Sequence, residues 1–66
     1  MKLKVNNIQK EFDRELSVND LLRHLEIHHR RVAITINDNI IKRDEREAKI
    51  LKDGDTVDII EMVGGG

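Results

Sequence analysis

One short amphipathic segment constrains the fold of this chain more than any other feature. After Ser17, apolar residues recur at i, i+3, i+4 and i+7, namely Val18, Leu21, Leu22 and Leu25. This spacing places them in one stripe on the surface of a helix. Ser17 and Asp20 have the spacing of a capping box, with Asp in place of the usual Glu. The pattern predicts a helix from residue 18 to residue 26 or 28.

On both sides of this helix, polar and apolar residues alternate as they do in half-buried strands. The predicted strands are residues 2–5, Ile8 to Phe12, Val32 to Asn37, the short pair Ile40-Ile41, and Val57 to Met62. Turn residues separate them at Asn6-Asn7, at residues 37–39 and at Asp53-Gly54-Asp55. A short helical turn is predicted near residues 45–48, within a polar stretch.

A single apolar helix stripe needs one apolar sheet face to cover it. If the first and last strands lie side by side as parallel neighbours, the sheet clasps the helix. We therefore predict an α+β fold of the β-grasp (ubiquitin-like) type, with a mixed sheet of four to five strands around one main helix. Residues 1–63 would form this domain, and residues 64–66 a flexible C-terminal glycine tail. With the last strand central, the chain would leave the sheet directly into solvent.

Composition excludes several classes of function. The 66 residues leave little room for an enclosed substrate pocket. The 12 basic and 13 acidic residues are interspersed and give a net charge of −1, which provides no electrostatic footprint for nucleic acid or an acidic membrane. Phe12 is the single aromatic residue, so stacking platforms for bases are missing.

The chain has no cysteine, which excludes disulfides, thiolate metal sites and thiol chemistry on its side chains. The N-terminal residues lack the continuous apolar core of a signal peptide, and no segment approaches transmembrane length. We therefore expect a cytoplasmic protein.

Neither the carboxylates nor the histidines form a recognisable catalytic or metal-binding pattern. Asp13, Asp38 and Asp53 fit turns better than catalysis. His24 and His28 are four residues apart and could share a helix face as zinc ligands do, but no third ligand accompanies them. His28 and His29 more simply complement the negative end of the helix. We expect no enzyme active site, no metal and no bound cofactor.

The end of the last strand raises two interpretations. Ile60 and Met62 lie on one face of this strand and Val63 on the other. They are either ordinary exposed apolar residues or a partner-binding patch beside the chain end.

The sequence then finishes with Gly64, Gly65 and Gly66. Glycine has no side chain to block entry into a narrow cleft, and residues 63–66 can extend about 13 Å. ATP can convert a terminal carboxylate into an acyl adenylate, which an oxygen, nitrogen or sulfur nucleophile can attack. A cloning remnant or a clipped linker is the alternative interpretation.

Taken together, these segments resemble the ThiS family, the ubiquitin-like sulfur carriers of thiamine biosynthesis. The resemblance covers essentially the whole chain. Its motifs are MKLKVN at residues 1–6, VAITIN at 32–37, IIKR at 40–43, DGDTVDII at 53–60 and VGGG at 63–66.

The resemblance implies that the tail is the functional site. In such carriers a ThiF-like adenylating enzyme uses ATP to activate the terminal carboxylate, here that of Gly66. A sulfur donor system then supplies the sulfur of a thiocarboxylate, and thiazole synthase takes that sulfur into the thiazole ring. Gly65 matches the penultimate glycine of the family and Gly64 its common third one. Lys42 departs from the family, which often has a proline before the arginine.

Three alternatives stay open. The small subunit of molybdopterin synthase has the same carrier chemistry with another acceptor, although the shortness of this chain favours thiamine. A ubiquitin-like modifier would form isopeptide bonds to lysines. A β-grasp interaction module would carry its tail incidentally.

Overall fold

A computed structural model describes residues 1–28 and 30–62 of the chain. In these residues, each helix is too short or too polar to cross a bilayer. The elements in chain order are β1 (Lys2–Val5), β2 (Ile8–Glu11), α1 (Val18–His24), β3 (Val32–Ile36), β4 (Asn39–Ile41), a 3₁₀ turn (Arg43–Glu45) and β5 (Thr56–Glu61).

The strands form one mixed sheet in the order β2-β1-β5-β3-β4. β1 and β5 are parallel neighbours, with Val5 opposite Val57, and the other strand pairs are antiparallel. β5 is therefore the central strand, and the two terminal strands of the chain lie together beneath one helix. This arrangement confirms the predicted β-grasp fold.

The hydrophobic core lies between α1 and one face of the sheet. The helix contributes the buried residues of the predicted stripe, while Leu25 packs half-buried against them. Leu16 and Leu51 add to the core from the loops, joined by a 2.8 Å bond from the Leu51 amide to the Leu16 carbonyl. The buried hydrophobic residues are Leu3, Val5, Leu16, Val18, Leu21, Leu22, Val32, Ile34, Ile36, Leu51 and Val57.

The capping box at the start of α1 is confirmed. The Asp20 amide donates to Ser17 Oγ at 3.0 Å, and the Ser17 amide donates to Asp20 Oδ2 at 3.1 Å. The amide of Ser17 has the largest effect on the Asp20 carboxyl and the hydroxyl of Ser17 the next, and both hold the pKa of Asp20 below its usual range. The helix ends at His24, earlier than predicted, because Glu26 has a φ of 61° and cannot continue it.

The predicted turns are present. Asn6 and Asn7 have φ values of 48° and 68°, a backbone conformation that asparagine tolerates well. Gly54 has a φ of 89° in the turn before β5. The helical turn in the polar stretch comes earlier than the predicted residues 45–48. Glu45 explains why the helical turn begins earlier. Its Oε1 accepts from the Lys42 amide at 2.9 Å and so stabilises a turn that ends, rather than begins, at Glu45.

The first strand has its predicted bounds, and each of the other strands differs by one residue at one or both ends. The predicted boundary between domain and tail, at residues 63 and 64, lies outside the described residues and stays a prediction.

Candidate functional site

β5 carries the chain to its C-terminal segment. It pairs with β3 over its length, from Ile36 opposite Val57 to Val32 opposite Glu61. A further 2.9 Å bond runs from the Met62 amide to the Arg31 carbonyl. We call residues 59–62 the tail root. Of the predicted site residues, Val63, Gly64, Gly65 and Gly66 lie outside the described residues.

Side chains alternate along β5 between the helix and the opposite face of the sheet. Val57 is fully buried and Ile59 packs against the core. Ile60 is 60% exposed and Met62 54% exposed. Both therefore lie in solvent at the tail root, as the predicted partner-binding patch requires.

The outer face of the sheet carries further apolar residues, next to Thr35 and Asp58, which lie opposite each other on the same face. Ile60 lies directly opposite Ala33 of β3, and Thr35, two residues further along β3, lies opposite Ile40 of β4. Residues opposite each other in register share a face. Ile40 is 77% exposed, the largest value among the exposed large hydrophobic residues described. We define the outer apolar patch as Ala33, Ile40, Ile60 and Met62.

Ile40 is a member of this patch that the sequence alone does not assign to it. The pair Ile40-Ile41 indicates that one isoleucine is exposed, because adjacent residues of a strand point to opposite faces. Ile41 packs against the core, so Ile40 has to face outward.

An ion pair flanks the tail root. Arg30 Nη1 lies 3.1 Å from Glu61 Oε1, and both side chains are at least half exposed. An exposed pair of this kind contributes no more than about 1 kcal/mol.

Asn6 contacts the tail root from the other side of β5. The Ile59 amide donates to Asn6 Oδ1 at 2.7 Å, and Asn6 Nδ2 donates to the Ile59 carbonyl at 3.2 Å. β1 ends at Val5, so this side chain makes the bonds that a further strand residue would otherwise make. The sequence marked Asn6 only as a turn residue.

The structure does not place His24 and His28 together as a pair of metal ligands. His24 stands edge-on to Phe12, with ring centroids 5.1 Å apart and planes at 76°, which is a packing contact. His28 lies beyond the end of α1, so it does not share a helix face with His24. His29 lies outside the described residues. Within residues 1–28 and 30–62, no group of three or more His, Cys, Asp or Glu could hold a metal ion.

The helix on a five-stranded mixed sheet, with an exposed central strand end, defines a ubiquitin-like protein of the β-grasp class. The chain belongs to the ThiS family, whose model matches residues 3–66. This match confirms the predicted family and makes the chain a sulfur carrier of thiamine biosynthesis.

Two solved structures are closely similar. The crystal structure of the thiamine biosynthesis protein ThiS from Geobacter metallireducens has 32% sequence identity and a TM-score of 0.86, and the alignment covers 100% of both chains. The solution structure of a thiamine biosynthesis protein from the same organism has 32% identity and a TM-score of 0.81. That alignment covers 100% of this chain and 88% of the other.

A curated relative is a thiazole synthase from Paramagnetospirillum magneticum (strain ATCC 700264 / AMB-1). It is 32% identical over all 66 residues of this chain, which spans only 20% of the relative's length.

Proposed function

We propose that the terminal carboxylate of Gly66 carries the sulfur. In the first step, a carboxylate oxygen attacks the α-phosphorus of ATP on a ThiF-like adenylating enzyme, and pyrophosphate leaves. In the second, sulfide (HS⁻) supplied by the donor system attacks the acyl carbon, and AMP leaves with the former carboxylate oxygen. The product is a thiocarboxylate in which one oxygen of Gly66 has been replaced by sulfur.

The observation that carries this proposal is the family match, which runs through all three terminal glycines to residue 66. The described structure adds support, because the central strand β5 leads toward these glycines while its outer residues stay exposed. The chain then acts as a protein co-substrate rather than an enzyme. It binds no cofactor of its own, and ATP is used by the partner. Since activation consumes ATP, we propose a cytoplasmic location.

We propose thiazole synthase as the sulfur acceptor. In the Paramagnetospirillum relative, a segment similar to this whole chain makes up 20% of a protein named thiazole synthase. A carrier-like segment and a thiazole synthase thus occur in one polypeptide. This supports the thiamine acceptor over molybdopterin synthase.

We further propose that the outer apolar patch binds the partner enzymes. Ile60 and Met62 lie at the tail root, so a partner that takes up the tail passes over them. Burial of exposed apolar area provides the affinity.

Two length variants test the role of Gly66. One deletes Gly66 and the other adds a single alanine after it. Each is incubated with ATP and the ThiF-like enzyme, and pyrophosphate release is measured. We expect both variants to lose adenylation while melting as the wild type does, because neither change alters a residue of the described core.

Adenylation of either variant at the wild-type rate would place the reactive group elsewhere. Unimpaired partner binding by both variants, without loading of the wild type, would favour an interaction module with an incidental tail. Covalent adducts on other proteins in cells would favour a ubiquitin-like modifier.

A further inference from the structure

We infer that Asn6 is a positioning residue that fixes the tail root for the adenylation and transfer reactions. The inference rests on the proposed function, since it concerns how Gly66 is delivered to the partner enzymes. It arises from one side chain that bonds to both backbone groups of a residue 53 positions away.

The need for such a residue follows from the lengths of the strands. β1 pairs with β5 only at Lys4 opposite Thr56 and Val5 opposite Val57. The Asn6 amide adds one backbone bond to the Val57 carbonyl at 2.9 Å. β5 continues to Glu61 with β3 on one side only, apart from the contact at Ile59.

Asn6 fills the place of the missing strand residue. Its carboxamide offers one acceptor and one donor, which is the same pair that a peptide group offers to a neighbouring strand. The two bonds to Ile59 therefore extend the parallel ladder by one position beyond the end of β1. Since β3 pairs along the opposite edge, with Ile34 opposite Ile59, β5 has a partner on both edges at this position.

The turn alone does not explain this contact. Asn7 has an even larger positive φ, 68° against 48°, so both positions favour asparagine or glycine for backbone reasons. Among the described residues, however, the side chain of Asn7 makes no hydrogen bond, whereas that of Asn6 makes two.

The consequence concerns binding more than the chemical step. Because the contact with Asn6 fixes the start of the tail root at Ile59, the tail enters a partner's cleft from a more restricted direction, and less conformational freedom is lost on binding. Losing the contact should therefore raise the KM for the carrier while leaving kcat almost unchanged.

Asn6→Gly tests this inference, with Asn7→Gly as its matched control. Both replacements suit a positive φ, and only the first removes the contact with Ile59. The steady-state rate of pyrophosphate release by the ThiF-like enzyme is measured against carrier concentration. We expect Asn6→Gly to raise KM about tenfold, as for the loss of two hydrogen bonds, with kcat within about twofold. Asn7→Gly should leave both constants near wild type.

Two further measurements separate positioning from global stability. Hydrogen exchange at the Ile59 amide should accelerate at least about tenfold in Asn6→Gly, while the core amide of Ile34 stays protected. Asn6→Asp keeps the acceptor for the Ile59 amide but loses the donor, so its KM should lie between those of wild type and Asn6→Gly.

Equal KM values for Asn6→Gly and Asn7→Gly would overturn the inference, as would a fall in kcat alone. If Asn6→Gly is unfolded at the assay temperature, the Asn6→Asp result decides: an unchanged KM and unchanged Ile59 exchange refute the role. A wild-type chain that is not adenylated by an enzyme active on a known carrier would instead refute the proposed function, and this inference with it.

Discussion

Replacing Ile60 with threonine should weaken partner binding without destabilising the domain. Full burial of an isoleucine side chain contributes about 1.5–3 kcal/mol. Ile60 is 60% exposed in the free domain, so a partner that covers this exposed fraction gains about 1–2 kcal/mol from its burial. We therefore expect the Kd for thiazole synthase, measured by isothermal titration calorimetry, to rise about 5- to 30-fold. Threonine keeps the strand propensity of a β-branched residue, so the free energy of unfolding should change by less than about 0.5 kcal/mol.

Ile8→Thr is the matched control. Ile8 is 61% exposed, almost the same as Ile60, but it lies on β2 at the far edge of the sheet. This variant should bind as the wild type does. If Ile8→Thr weakens binding as much as Ile60→Thr, or if Ile60→Thr binds normally, the outer apolar patch is not the docking surface. A loss of more than about 2 kcal/mol in unfolding free energy would instead place Ile60 in the core.

Three further predictions concern the stability of the domain. Ser17→Ala removes the helix cap and should cost about 1 kcal/mol, a fall of about 4–8 °C in Tm by calorimetry. The lowered pKa of Asp20 gives stability that is present above its unfolded value, near 3.8, and lost as pH falls through the folded value. Urea unfolding from pH 6 to pH 2 should show this loss in the wild type and a smaller one in Asp20→Asn. Gly54→Ala should cost about 1 kcal/mol in urea unfolding through backbone strain alone, because a Cβ there meets nothing within 4 Å.

Each of these has a contradicting result. An unchanged Tm for Ser17→Ala would mean that the capping bonds add nothing to stability. Identical pH profiles for the wild type and Asp20→Asn would remove Asp20 as a source of pH dependence. A Gly54→Ala variant as stable as the wild type would show that the turn relaxes to a negative φ.

The helix and the sheet could be predicted because their signals are local. The stripe at Val18, Leu21 and Leu22 and the cap at Ser17 specify where α1 begins. Its end was predicted too late, because nothing in the identity of Glu26 announces a positive φ. Tertiary packing decides that point, since the chain turns there to bring Ile27 against the core.

The long segment between β4 and β5 was harder to predict. Leu51 follows Ile50 in a largely polar segment, and this pair alone does not show which residue enters the core. Leu51 is fully buried, whereas Ile50 is 41% exposed. The amide of Leu51 bonds to the carbonyl of Leu16, 35 positions earlier in the sequence, and both side chains lie in the core. Contacts of this range are set by the whole fold and leave no trace in a local pattern.

The residues of the candidate site also fall into two groups, those predictable from a local pattern and those that depend on strand pairing. Ile60 and Met62 could be predicted as outward-facing residues because strand alternation is local. The contribution of Ile40 required the register between β3 and β4, and the role of Asn6 required the parallel pairing of β1 with β5. Both depend on which strands become neighbours in the sheet.

The most direct test of the central claim is the intact mass of the chain after incubation with ATP, the ThiF-like enzyme and a sulfide source. The account predicts a shift equal to the exchange of one oxygen for sulfur, located on Gly66 by fragmentation and absent from the variant that lacks Gly66. An unchanged mass, obtained with an enzyme that loads a known carrier in parallel, would contradict the assignment of Gly66 as the sulfur-carrying group.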